Sequence, residues 1–238
     1  MTKKSSENNL IKEIMVSVSF EGDISLQTLE ERIEKSPLIM DTFKKTQDAY
    51  STSLKFDPVK TKSKTAKVGV ILESGNKNKV ILQVKTGIIS YHMLDHYVSS
   101  DQFAKLFQEY WSEIVSLENI VPKELTIRYI NFIPVEQGEN LSDVINLKIE
   151  HPYEMAESEF YTSKFQKNGK PVSIVFAYDG LKERRGVYFD HSIKQMFNEK
   201  EKISNLADII NELRPIKNDI FFSILTEKTK NKYFNGTS

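Results

Sequence analysis

The segment Glu124-Leu125-Thr126-Ile127-Arg128-Tyr129-Ile130-Asn131-Phe132-Ile133-Pro134-Val135 decides the fold. Leu125, Ile127, Tyr129 and Phe132 are large and apolar, and Thr126 and Ile130 are β-branched, which marks a buried or half-buried strand. Pro134 removes a ladder donor and closes it. Two polar groups, Arg128 and Asn131, are set into this apolar run. A guanidinium in such a place needs a carboxylate or several carbonyls beside it, because an unpaired buried charge is costly. The chain before this strand reads as one half of a domain, and the chain after it as a second half.

Upstream, 1–9 is polar and reads as a frayed tail. In Lys12 to Phe20, Ile14, Val16, Val18 and Phe20 alternate with Glu13, Met15, Ser17 and Ser19, which predicts a half-buried strand. Ser25 can cap a helix carrying Leu26, Leu29 and Ile33, and Ser36-Pro37 ends it. A second helical piece fits Leu38 to Lys45. A meander of strands follows: Ser51 to Phe56, a basic polar loop, Lys67 to Glu73, Lys79 to Lys85 and Ile88 to Leu94. Ser100-Asp101 then opens the clearest helix, with Phe103, Phe107, Tyr110, Trp111, Ile114 and Leu117 at helical spacing. So aromatic a stripe must lie on a large apolar surface, most simply a face of the preceding sheet.

Downstream, a helical turn at Asn140 to Val144 leads to four strand candidates: Leu147 to Glu150, Ser158 to Gln166, Val172 to Tyr178 and Gly186 to Asp190. Asn168-Gly169 is a hairpin turn. Ser204 opens a C-terminal helix with Leu206, Ile209, Ile210 and Leu213, which Pro215 kinks or restarts. The expected architecture is α+β, with curved antiparallel sheets and helices packed on one face. It forms a single domain, 10–238, divisible into two similar halves, 10–121 and 122–238.

Composition excludes several functions. The chain has 238 residues, 39% hydrophobic and 11% aromatic, enough for a sizeable core. Lys plus Arg equals Asp plus Glu at 33 each, which argues against a protein whose task is neutralising phosphates. There is no Cys, so disulfides, thiolate nucleophiles and cysteine-ligated zinc are excluded. No apolar run approaches the ~20 residues of a membrane span, and the N-terminus lacks a secretory h-region, so a cytoplasmic protein is expected.

Candidate sites are few. His92, Asp95 and His96 form His-x-x-Asp-His; on a helix the two imidazoles would share a face and bind a metal, but the segment reads as strand and turn. Arg128 and Asn131, with Asp190, could form a ligand site in which Arg128 grips an anion. The structural alternative pairs Arg128 with Asp190 or Glu13, and it takes precedence because buried polar groups are as a rule satisfied within the fold. Asp190 and His191 are adjacent, so on a strand they point to opposite faces. Lys60, Lys62, Lys64 and Lys67, with the runs at Lys182 to Arg185 and Lys228 to Lys232, would bind nucleic acid only if they converged; interleaved acids favour solvated loops. No nucleophile elbow, phosphate loop or dinucleotide fingerprint is present, and no cofactor is implied.

The Ile127-Arg128-Tyr129-Ile130-Asn131 strand, behind an aromatic helix (Phe103, Tyr110, Trp111), resembles a family of uncharacterised, sporadically distributed prokaryotic proteins of about this length. The likeness lies in four places: the N-terminal strand from Glu13 to Phe20, the strand and Tyr-containing helix, the Arg-Tyr-x-Asn strand, and a C-terminal helix with Phe221. An Asp-rich strand late in the family is matched in part by Tyr188-Phe189-Asp190. The family carries no activity to transfer. Its patchy distribution implies horizontally moved genes, such as defence or toxin–antitoxin loci.

The leading expectation is therefore a non-catalytic accessory protein that binds a protein partner through a sheet edge or the aromatic-backed helix. The alternative is a ligand-binding or enzymatic domain around Arg128 and Asn131, and the third is nucleic-acid binding through the lysine loops. Zero net charge and open sheet edges also favour self-association, as a homodimer.

Overall fold

The computed structural model describes residues 10–56, 61–75, 79–95, 98–115, 120–146, 158–179, 185–198 and 205–234. The first half comprises β1 (Ile11–Gly22), α1 (Leu26–Lys35), α2 (Pro37–Thr42), β2 (Phe43–Phe56), β3 (Thr61–Ser74), β4 (Val80–Lys85), β5 (Ile88–Leu94) and α3 (Ser100–Ile114). The second comprises β6 (Ile120–Pro134), α4 (Leu141–Val144), β7 (Ser158–Lys167), β8 (Lys170–Asp179), β9 (Gly186–Met196), α5 (Leu206–Ile224) and α6 (Glu227–Tyr233). All nine strands join one antiparallel sheet, in the order β2-β3-β4-β5-β1-β6-β9-β8-β7. The fold is α+β, with one open sheet where several were expected.

β1 and β6 lie side by side at the centre, in a register that sets Met15 opposite Arg128 and Val16 opposite Ile127. Outward from β1 run β5, β4, β3 and β2; outward from β6 run β9, β8 and β7. The longest helix of each half, α3 in the first and α5 in the second, follows that half's last strand, and the two pack against each other.

Period-2 alternation decides which side chains meet the helices. Ile14, Val16, Val18 and Phe20 of β1, Leu125, Ile127, Tyr129 and Ile133 of β6, and Val187, Phe189 and Ile193 of β9 are all buried on the helix side. The α3 stripe lands on the same side of the sheet: Trp111 meets Phe20 of β1 edge-on at 5.8 Å, Phe103 stacks on Tyr91 of β5 at 5.2 Å, and Tyr110 meets Phe43 of β2 at 5.4 Å. Such aromatic pairs add about 0.5–1.5 kcal/mol each beyond their area burial. Local signals set the helix ends. Ser25 and Ser36 cap α1 and α2, and Ser99, one residue before the expected start, accepts from Gln102 N–H to cap α3.

Three expectations are corrected. The stretch Thr61 to Lys67, read as a basic loop, is the outer part of β3, paired residue for residue with β2. β2 itself starts at Phe43 and takes in Lys44 and Lys45, where the sequence predicts the end of the second helical piece. Local propensity could not foresee either change, because a polar hairpin arm gains its ladder only from its partner strand. Pro215 lies inside α5, which runs from Leu206 to Ile224, so the helix does not restart there. The strand expected at Leu147 to Glu150 lies outside the described residues.

Candidate functional site

The side of the sheet away from α1, α3 and α5 is not covered by any described helix. It presents the opposite phase of each strand: Glu13, Met15 and Ser17 of β1, Glu124, Thr126 and Arg128 of β6, Asp190, Ser192 and Lys194 of β9, and Ser90 and His92 of β5. Sequence alternation alone assigns these residues to one face, and the strand order makes them neighbours.

They form a connected polar cluster. Arg128 donates from Nε to Asp190 Oδ1 at 2.8 Å and from a terminal nitrogen to Oδ2 at 2.5 Å, a bidentate pair across β6 and β9. Glu13 accepts from His92 Nδ1 at 2.7 Å, and the Ser90 hydroxyl lies 3.0 Å from His92 Nε2. That bond to His92 holds the Glu13 carboxyl below its ordinary range, against the opposing pull of burial and with the Arg128 charge adding to the effect. Lys194 donates to both oxygens of Glu124, at 2.8 and 2.9 Å, and Thr126 donates to the same carboxylate. Ser17, Ser90 and Thr126 are buried although no described helix lies over them. Around this cluster stand exposed apolar side chains: Phe160 at 72%, Met196 at 53% and Tyr188 at 45% exposure, with Tyr188 packed on Phe132 at 4.9 Å.

The structure separates residues that the sequence analysis grouped. Arg128 and Asn131 differ by an odd number of residues along one strand, so they stand on opposite faces and do not share a pocket. Arg128 is engaged by Asp190, whereas Asn131 is buried on the helix side, where its amide donates to the Phe189 carbonyl at 3.4 Å. The pocket imagined around Arg128 and Asn131 together is therefore corrected. His92 lies on strand β5 with both ring nitrogens bonded, and His96 falls outside the described residues; among the described residues, no group of three or more His, Asp or Glu could hold a metal ion. Lys60 lies outside the described residues. Lys62 and Lys64 are exposed on the β2–β3 arm, and Lys67 is bound by Glu30 and Asp48, each at 2.7 Å. Lys228, Lys230 and Lys232, on α6, pair with Glu139, Glu227 and Glu136, so their charges are matched within the fold, and 182–184 of the third basic run lie outside the described residues.

The helix side holds a second polar feature that the sequence analysis missed. His191, 1% exposed, is stacked on Phe189 at 4.7 Å, and neither of its ring nitrogens has a hydrogen-bond partner among the described residues. It lines a cavity of about 260 Å³ between the sheet and α5. Tyr129, Asn131 and Lys217 also line it, and the Lys217 ammonium sits 4.1 Å above the Tyr129 ring. Burial drives the His191 imidazole down to about 3 and the Lys217 amine down to about 8, the latter helped by the charge of Arg214. A signal for Lys217 was present: it sits four residues from both Leu213 and Phe221, on the buried stripe of α5.

No family model and no curated protein matches the chain. No described helix is long and apolar enough to cross a membrane.

Proposed function

We propose that the protein is a non-catalytic accessory component that docks a protein partner on the uncovered face of its sheet. One observation carries this reading: a sheet face with no described helix over it combines exposed Phe160, Tyr188 and Met196 with a charge-paired centre. Large exposed apolar side chains around satisfied polar groups suit a protein surface. A nucleic acid would need excess cation, and here Arg128 and Lys194 are already matched by Asp190 and Glu124. The aromatic stripe of α3 does not serve as the docking element, because Phe103, Phe107, Tyr110 and Trp111 are buried within the protein's own core.

The partner chemistry follows from the same residues: an apolar surface of low net charge, with room for the Tyr188 and Met196 side chains. The setting, a cytoplasmic component of a defence or toxin–antitoxin type locus, rests on the resemblance of the central strand alone. The test is affinity purification of the tagged protein from its own host, run in parallel for wild type, Tyr188→Glu and Met196→Glu. Both variants alter exposed positions and leave the core intact. The expected result is one stoichiometric protein that both variants lose. Retention of that protein by both variants, or no co-purifying protein at all, refutes the reading. A change only in the mass of the isolated protein assigns the face to self-association instead.

A further inference from the structure

The cavity beside His191 has no part in that docking face, since it opens on the helix side of the sheet. Its polar lining is one-sided: a lysine, an imidazole, the Tyr129 phenol and the amides of Asn131 and Asn218, with no carboxylate among the described residues. Among the described residues no carboxylate pairs with Lys217, whose ammonium rests on the Tyr129 ring. His191 is buried with both nitrogens unpartnered, although a buried polar group left unmatched is costly and native folds seldom keep one without cause. The remaining wall is apolar, formed by Leu10, Phe221, Phe222 and Phe234.

We infer that this cavity is a binding site for a small monocarboxylate with an apolar, preferably aromatic, tail. The carboxylate would accept from the Lys217 ammonium and from a His191 ring N–H, meeting both unmatched groups at once. The tail would lie against Phe221, Phe222 and Phe234, which already meet in edge-to-face contacts. Size fits: engineered apolar cavities of ~150 Å³ hold benzene, and this one is about 260 Å³. Charge selects the class. One cation balances a monoanion, whereas a phosphate dianion would leave a desolvated charge uncompensated.

The test titrates the full chain with phenylacetate, its neutral isostere phenylacetamide, and hexanoate, following the His191 ring resonances by NMR and the affinity by calorimetry. Phenylacetate is expected to shift the His191 resonances and to bind about tenfold more tightly than phenylacetamide, the size of one charge-assisted hydrogen bond. Hexanoate is expected to bind more weakly than phenylacetate. Lys217→Met should abolish the preference for the anion and Lys217→Arg should keep it. Because Lys217→Met removes a desolvated charge, that variant should fold at least as stably as wild type, which circular dichroism checks. Equal binding of phenylacetate and phenylacetamide, an anion preference unchanged in Lys217→Met, or a His191 ring unmoved by any of the three at millimolar concentration overturns the assignment.

Discussion

Acid should destabilise this protein through His191, and replacing His191 with Phe should remove much of that sensitivity. In the unfolded chain the imidazole takes up a proton near its ordinary value of 6.5; in the folded protein burial holds it down to about 3. The unfolded state therefore binds more protons than the folded state between those values. Stability from this group is fully present above pH 6.5, falls as pH drops through the window, and levels off below about pH 3. Each unit within the window costs about 1.4 kcal/mol. Two units, to about pH 4.5, cost about 2.7 kcal/mol, a large share of the 5–15 kcal/mol of a typical domain. Phe at this position keeps the stack on Phe189 and leaves no orphan nitrogen. The assay is urea unfolding of wild type and His191→Phe at neutral pH and at about pH 4.5, with equal m-values confirming comparable unfolding. The stability gap between the two proteins should widen by about 2–3 kcal/mol in acid. Carboxylate effects, including that of Glu13, are common to both proteins and cancel. A gap that stays constant to within about 0.5 kcal/mol, or a His191 ring that titrates near its ordinary value in the folded protein, refutes the reasoning.

Two further outcomes follow from the sheet. A double-mutant cycle on Arg128→Met and Asp190→Asn should give a coupling of about 1 kcal/mol, because the Arg128 side chain is 39% exposed and solvent screens the bidentate pair; a coupling near zero would show that the geometry contributes nothing. Gly186→Ala should cost about 1–3 kcal/mol, since its Cβ would stand 2.4 Å from the Phe132 ring and 2.8 Å from the Ile133 carbonyl oxygen; thermal unfolding unchanged from wild type would contradict that approach.

Much of the fold was legible because burial imposes periodicity. Ile14, Val16, Val18 and Phe20 announced a half-buried strand, the aromatic spacing of α3 announced a helix against a sheet, and Asn168-Gly169 announced the β7–β8 turn, where both residues have positive φ (51° and 72°). The polar arm of β2 and β3 carried no such mark, since Lys62, Lys64 and their neighbours are exposed and have no periodic core to report. The ion pair of Arg128 was also foreseen in kind. A guanidinium in an apolar strand needs a carboxylate, and Asp190 is one of the two partners the sequence offers.

Sequence by itself determined the period of each element and which side chains within a strand share a face, because both depend on neighbours two to four residues apart. Only the tertiary structure decided which faces meet. The ladder between β6 and β9 brings Asp190 to Arg128 across 62 positions, the ladder between β1 and β5 brings His92 to Glu13 across 79, and the packing of α5 sets Lys217 over Tyr129 beside His191. The separation of Arg128 from Asn131 was already implicit in an odd spacing along one strand. Their different fates, one on an uncovered face and one beneath helices, required knowing where α5 comes to rest.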